Sequence, residues 1–198
     1  MITLALLLAS AAAAAPVSVL VEDLSGKPVA DAVVFARTGP AAAGAADAVM
    51  DMVSLEFVPR VLAVPAGTKL RFPNKDQIHH QIYSFSKPKK FELPLFKGEE
   101  ADPVLFDKPG LVKLGCNIHD NMLAFVFVSP SSAFSKTGPD GKATLELSAG
   151  AHELEAWAEG LPGESGMKQP VLVTEKGGSA RFKLKLAKRR KAPASSGY

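Results

Sequence analysis

Two apolar, strand-like runs joined by a short polar loop make up GLVKLGCNIHDNMLAFVFVSP, residues 110–130. The first run ends at Cys116 and the second begins at Met122, and His119 stands midway between them. Because a strand on each side would hold such a loop rigidly, the three side chains can converge on one point. The stretch therefore predicts two neighbouring β-strands with a candidate binding site on the loop that joins them.

Short strand-like runs also dominate the rest of the chain. They alternate apolar and polar residues or are rich in Val, Leu and aromatic residues. Turn-forming sequences such as Ser-Gly-Lys-Pro, Pro-Asp-Gly and Gly-Gly separate them, at intervals of about 8 to 12 residues. No helix-period run of convincing length follows the apolar amino-terminal stretch. The pattern predicts an all-β protein built of β-sandwiches.

Composition and charge favour a globular protein without a nucleic-acid partner. Of the 198 residues, 47% are hydrophobic and 22% are charged. The formal net charge is +3, but the run KRRK at 188–191 alone carries four positive charges, so the rest of the chain sums to −1. Residues 188–198 are therefore interpreted as a solvated, disordered basic tail rather than as an arm for nucleic acid or anionic membrane.

The first fifteen residues have the length and composition of a signal peptide. They are apolar and end in small residues, and cleavage is expected between Ala13 and Ala15. No Lys or Arg precedes Leu4, and an uncleaved amino-terminal anchor is the alternative. No later stretch approaches the roughly twenty apolar residues that a membrane span needs. We expect a periplasmic or secreted protein with no stable membrane insertion after cleavage.

Export makes the single cysteine informative. In an oxidising compartment cysteines normally pair, and Cys116 has no partner in its own chain. A copper ion that cycles between Cu(I) and Cu(II) prefers two imidazoles and a thiolate, with a weak axial thioether. Cys116, His119 and Met122 supply three of these four ligands within seven residues. The fourth is expected from FPNKDQIHHQIYSF, residues 72–85, where His79 and His80 point to opposite faces if the segment is extended.

Other chemistries fit these residues less well. A structural zinc site needs four closed Cys and His ligands, and methionine is a poor zinc ligand. A dinuclear copper centre needs a second cysteine, which the chain lacks. A Cys–His nucleophile needs a third group to orient the pair. We therefore predict one redox-active copper ion and no enzymatic activity, against the simpler interpretation of a buried thiol, a surface histidine and a core methionine.

The quoted stretches, together with FVPRVLAVPAGTKLRFPNKD at 57–76 and FDKPG at 106–110, resemble the cupredoxins, the small blue type-1 copper proteins. The Cys-x-x-His-x-x-Met spacing is most similar to the amicyanin branch of these plastocyanin-like proteins. More specifically, the segment resembles a secreted group labelled methylamine-utilisation proteins. In the family, an Asn-x-Asp stands four residues before the first ligand histidine, and here that position is His80. The resemblance implies four metal ligands, His80, Cys116, His119 and Met122, with His79 as the second choice for the first ligand. It also implies three outer residues that orient the ligands without binding the metal: Asn74, Gln81 and Asn117. Gln81 stands where the family often has asparagine, and Asn117 is the expected donor to it.

The outer parts of the chain carry a second resemblance. VEDLSGKPVADAVVFA at 21–36 and GPDGKATLELSAGAHELEAWAEG at 138–160 resemble the transthyretin-like, carboxypeptidase-regulatory β-sandwich. This implies a cupredoxin domain at 46–130 inserted into a sandwich formed by 16–45 and 131–187. Two sandwiches in series, or one merged sheet system, are the alternatives.

These features predict a periplasmic electron carrier that moves one electron per copper ion. By analogy with cupredoxins, its partners would be redox proteins such as a cytochrome c or a periplasmic dehydrogenase. A copper-handling protein for storage, delivery or resistance is the first alternative, and Met50 and Met52 are its only hint. A structural or binding module with a vestigial copper site is the second.

Overall fold

The computed structural model describes residues 14–41, 46–98 and 101–187. Within these ranges the chain forms seventeen β-strands and no helix, which confirms the predicted all-β class. The strands are β1 (Ala14–Asp23), β2 (Val33–Ala36), β3 (Asp47–Val49), β4 (Asp51–Val53), β5 (Glu56–Val58), β6 (Val61–Pro65), β7 (Thr68–Arg71), β8 (Ile82–Ser84), β9 (Phe91–Glu92), β10 (Val104–Phe106), β11 (Gly110–Cys116), β12 (Leu123–Ser129), β13 (Phe134–Lys136), β14 (Lys142–Ser148), β15 (Gly150–Trp157), β16 (Met167–Val173) and β17 (Gly178–Leu184).

Two sheets from the ends of the described chain share one apolar core, and we call them the outer sandwich. One sheet has the order β14-β1-β17 and the other β13-β2-β15-β16. β1 runs antiparallel to β14 and parallel to β17. Buried and exposed residues alternate along β1, β14 and β17 because only one face of this sheet is covered. The covered face brings Val19 and Phe182 against Val34 and Leu154 of the second sheet.

Two further sheets form the inner sandwich, which carries the candidate site. Their orders are β10-β7-β3 and β6-β12-β11-β8-β9. Leu70 and Phe106 of the first sheet share a buried core with Leu114 and Val126 of the second. The β4–β5 hairpin closes one side of this core with side chains that include Met52.

The strand β12 is buried on both faces, which explains its unbroken apolar sequence. Ala124, Val126 and Val128 face the core of the inner sandwich. Phe125 and Phe127 face the other way, into a third cluster shared with the outer sandwich. There the Phe127 ring lies 4.8 Å from that of Phe35, and the Phe125 ring lies 5.2 Å from that of Trp157. The two sandwiches are therefore packed against each other through aromatic side chains.

The strands of the outer sandwich come from residues 14–36 and 134–184, and those of the inner sandwich from residues 47–129. The domain boundaries given above, 16–45 with 131–187 and 46–130, stay a prediction. The predicted basic tail and the predicted signal peptide lie outside the described residues, except for Ala14 and Ala15, which belong to β1. In the described ranges, no helix is long and apolar enough to cross a bilayer.

Candidate metal centre

The loop at residues 117–122 joins two antiparallel neighbours. In the register of β11 and β12, Gly115 lies opposite Leu123, so Cys116 is the last residue of one strand and Met122 directly precedes the other. Within the loop, the amide of Met122 donates a hydrogen bond of 2.9 Å to the carbonyl of His119. The side chains at both ends are buried, with Cys116 3% and Met122 2% exposed. The loop therefore returns the chain into the core immediately after His119.

A second segment reaches the same point because β8 pairs with β11. Ile82 lies opposite Cys116, so the residues just before β8 lie beside the end of β11. His80 is fully buried and forms an antiparallel bridge with Phe96, with two N–H···O bonds of 3.0 Å. His79 is exposed on the other side of the chain. The structure thus places His80, and not His79, next to Cys116.

Three donor atoms converge on one point. The Sγ of Cys116 lies 3.8 Å from Nδ1 of His80 and 3.6 Å from Nδ1 of His119. The ligand atoms of all three residues lie within 4.8 Å of one another, and the two imidazole rings are 4.9 Å apart with an interplanar angle of 61°. Two donors bound at about 2.0 to 2.3 Å to one ion, at an angle of about 110 to 120°, lie about 3.3 to 4.0 Å apart, and both distances to Sγ fall in this range. The arrangement therefore fits a soft transition-metal ion held by one thiolate and two imidazoles.

Met122 lies in the same buried cluster as Cys116. Both residues also line a surface cavity of about 460 Å³, whose rim includes Tyr83 and Asp120. A buried thioether in this position is the kind of weak, soft donor that accompanies a Cys and two His in copper sites.

The outer residues predicted from the sequence connect the two segments. The Nδ2 of Asn117 donates a hydrogen bond of 3.1 Å to Oε1 of Gln81, and Gln81 in turn donates to Glu92 at 2.6 Å. Asn74 acts at the start of the histidine segment: its Nδ2 donates to the carbonyls of Ile78 at 2.9 Å and Phe96 at 3.2 Å. The bond between Asn117 and Gln81 therefore ties the two ligand segments together, while the Asn74 bonds fix the histidine segment itself.

The hydrogen-bond partner of His80 is a residue that the sequence did not predict in this role. The Nε2 of His80 lies 2.9 Å from Oδ2 of Asp76, and the same carboxylate accepts from the amides of Ser54 at 2.6 Å and Leu55 at 3.0 Å. Ser54 and Leu55 form the β4–β5 turn, and both have positive φ angles, 54° and 61°. Asp76 already stands out in the Asn-x-Asp motif, but nothing in that spacing says that its carboxylate meets His80.

The surroundings of the cluster favour the ionised form of Asp76 and the neutral form of His119. Burial alone would raise the pKa of Asp76, but hydrogen bonds from Leu55, His80 and Ser54 outweigh it and lower the pKa below its ordinary value. A carboxylate at Nε2 favours the tautomer of His80 that carries its proton there, which leaves Nδ1 free as a ligand. Burial, followed by the charge of His80, lowers the pKa of His119 and favours its neutral, ligating form.

A glycine allows an aromatic ring to cover the strand beside the cluster. A Cβ atom on Gly115 would lie 2.8 Å from both Cζ and Oη of Tyr83, so the ring occupies the space of a side chain. Tyr83 is itself held by Phe85, whose ring is 5.1 Å away. The pair forms one wall of the cavity that Cys116 and Met122 line.

Several solved copper proteins are similar to this chain. A purple cupredoxin from Nitrosopumilus maritimus is 24% identical, with 42% of this chain and 100% of that chain covered and a TM-score of 0.38. A Cu-containing nitrite reductase (NirK) from Thermus scotoductus is 26% identical, with 56% of this chain but only 28% of that chain covered and a TM-score of 0.41. A variant of amicyanin in the Cu(I) form is 21% identical, with 48% and 98% covered and a TM-score of 0.39.

No protein-family model matches the sequence, and none of the curated proteins compared with it matches either. The solved structures named above are therefore what the chain is similar to, at low identity and over about half of its length.

Proposed function

We propose that this protein is an electron carrier that binds one type-1 copper ion and works in the periplasm. The observation that carries the proposal is the convergence of Nδ1 of His80 and Nδ1 of His119 on Sγ of Cys116, at 3.8 and 3.6 Å. Met122 is buried at the end of the same loop and is the proposed axial ligand. A copper ion bound there would supply one-electron redox chemistry.

The chain's own residues hold the donor set in place. Cys116 is fixed in β11, which pairs with strands on both sides. His80 is held by its backbone bridge to Phe96 and by Asp76 at Nε2. Rigid ligands need little rearrangement when the charge of a bound ion changes, which favours fast electron transfer over binding and release.

The surface next to His119 is the proposed contact for redox partners. His119 is the least buried of the three clustered donors, and Ile118 beside it is 49% exposed. By analogy with cupredoxins, the partner would be a cytochrome c or a periplasmic dehydrogenase. An exposed apolar side chain beside the most accessible ligand is available for brief docking by another protein.

The copper-handling alternative receives no support from the methionines that suggested it. Met50 and Met52 are fully buried and belong to the core of the inner sandwich. They therefore pack the fold and are not placed to pass a metal ion to a partner. We also propose that the site turns over no substrate, because the three clustered donors together with Met122 would leave a bound ion no open position for one.

The test is to add Cu(II) to the purified chain and record visible and electron paramagnetic resonance spectra. We expect an intense thiolate-to-copper band with narrow hyperfine splitting, lost in Cys116→Ser and retained in His79→Gln. Absence of the band in the wild type would overturn the proposed site. Reversible one-electron cycling would support the carrier function, whereas copper transfer to an apo-protein without cycling would support handling.

A further inference from the structure

An ion pair joins the two sandwiches beside the ligand loop. Glu159 lies two residues beyond the end of β15 in the outer sandwich, and Arg60 directly precedes β6 in the inner one. The Nε of Arg60 donates to Oε2 of Glu159 at 2.8 Å, and Nη2 donates to Oε1 at 2.6 Å. Such a two-pronged pair fixes the plane of the guanidinium as well as its position.

The pair is sheltered enough to be more than a surface contact. The side chains of Arg60 and Glu159 are 28% and 22% exposed. The hydrogen bond to Glu159 raises the pKa of Arg60 above its ordinary value. Partly buried pairs are screened by salt much less than pairs on an open surface.

The remaining nitrogen of the same guanidinium holds the ligand loop. The Nη1 of Arg60 donates to the carbonyl of Leu123 at 3.0 Å, and Leu123 directly follows Met122. The backbone carbonyl of Arg60 also accepts from the amide of Phe125 at 2.9 Å. Arg60 therefore binds the start of β12 twice: its side chain bonds to Leu123 and its backbone carbonyl bonds to Phe125.

We propose that Glu159 is a positioning residue for the metal site: by fixing the guanidinium of Arg60, the outer sandwich sets the carbonyl of Leu123 and thereby the placement of Met122 against Cys116 and His119. The effect on the copper site rests on the proposed function, whereas the effect on the metal-free ligand loop does not. It gives the outer sandwich a role in tuning the site, since the axial ligand of such a site influences its redox potential.

The experiment compares Glu159→Gln, Arg60→Met and their double variant with the wild type. The matched control is Glu22→Gln, which makes the same chemical change in the outer sandwich, at the 3.4 Å pair of Glu22 on β1 with Arg181 on β17. The first measurement is amide hydrogen exchange of Met122 and Phe125 in the metal-free protein. The second is the reduction potential of the copper-loaded protein.

We expect Glu159→Gln and Arg60→Met to speed exchange at both amides roughly tenfold, as the loss of one hydrogen bond to a charged group implies. Both variants should shift the potential in the same direction, the double variant should add nothing to Arg60→Met, and Glu22→Gln should change neither quantity. If Arg60→Met does not fold, Arg60→Lys replaces it, because lysine keeps the charge but not the fork.

Exchange in Glu159→Gln within twofold of the wild type would overturn the inference, and so would additive effects in the double variant or an equal shift in Glu22→Gln. The two proposals fail separately. A wild type that gives no thiolate-to-copper band would overturn the proposed function, while faster exchange in the metal-free Glu159→Gln variant would still support the positioning role.

Discussion

The Asp76→Asn substitution tests how the chain prepares His80 for a metal. The carboxylate accepts from Nε2 of His80 at 2.9 Å and from the amides of Ser54 and Leu55. An amide in its place can present an NH₂ group to Nε2, which favours the tautomer with the proton on Nδ1. That proton would have to leave before Nδ1, 3.8 Å from Sγ of Cys116, could bind an ion.

The expected size of the effect follows from the contacts that are lost. Removing the hydrogen-bond partner of a ligating histidine typically lowers metal affinity about 10- to 100-fold, or about 1.4 to 2.7 kcal/mol. The metal-free protein should also lose about 1 to 2 kcal/mol of unfolding free energy, because the asparagine oxygen replaces only part of the bonding to Ser54 and Leu55. Affinity should therefore fall by more than stability alone explains.

The assay is competition for Cu(I) with a coloured chelator, together with urea denaturation of the metal-free protein. Asp51→Asn is the matched control, since it makes the same chemical change on β4, at a 2.6 Å pair with the exposed Lys75. That pair should contribute less than about 1 kcal/mol and should leave copper affinity unchanged. A Cu(I) affinity in Asp76→Asn within twofold of the wild type would refute the reasoning.

Three further outcomes follow from the fold. Gly115→Ala should lower the unfolding free energy by about 1 to 3 kcal/mol in urea denaturation, because the added Cβ would lie 2.8 Å from the Tyr83 ring. If Gly115→Ala costs as much in a Tyr83→Ala background, the clash with Tyr83 is not the cause. Phe127→Ala should cost about 3 to 5 kcal/mol in the same assay, and a loss below 1 kcal/mol would mean that the interface is not packed. Hydrogen bonds from Ser25 and Lys27 lower the pKa of Asp23 below its ordinary value of 3.8. The advantage of the wild type over Asp23→Asn in thermal midpoint should therefore be present above pH 3.8 and lost as the pH falls below it. An advantage that stays constant down to about pH 2 would exclude this explanation.

Local features of the site were predictable from the sequence because the chain itself limits them. Cys116, His119 and Met122 lie within seven residues between two strands, so the loop has few ways to keep them apart. The choice between His79 and His80 was open because it depends only on which face of one extended segment turns inward. That face is decided by the pairing of the segment with Phe96, which periodicity cannot show.

Contacts between distant parts of the chain were not predictable in this way. The bonds from the β4–β5 turn to Asp76 span 21 and 22 residues, and the pair of Arg60 with Glu159 spans 99. The apolar run at β12 indicated a buried strand, but its sequence does not show which residues pack against each face. The packing of Phe127 on Phe35 joins strands of the two sandwiches, so it depends on the tertiary arrangement and not on local sequence.

The double burial of β12 limits how this architecture can be taken apart. Excising residues 46–130 as a stand-alone protein would expose Phe125, Phe127 and Leu111 to water together, and a contiguous apolar face of that kind promotes aggregation. If the outer sandwich were lost, polar residues would have to replace the apolar residues of this face at the same time. We therefore expect neither sandwich to remain soluble without the other unless polar residues replace this shared apolar face.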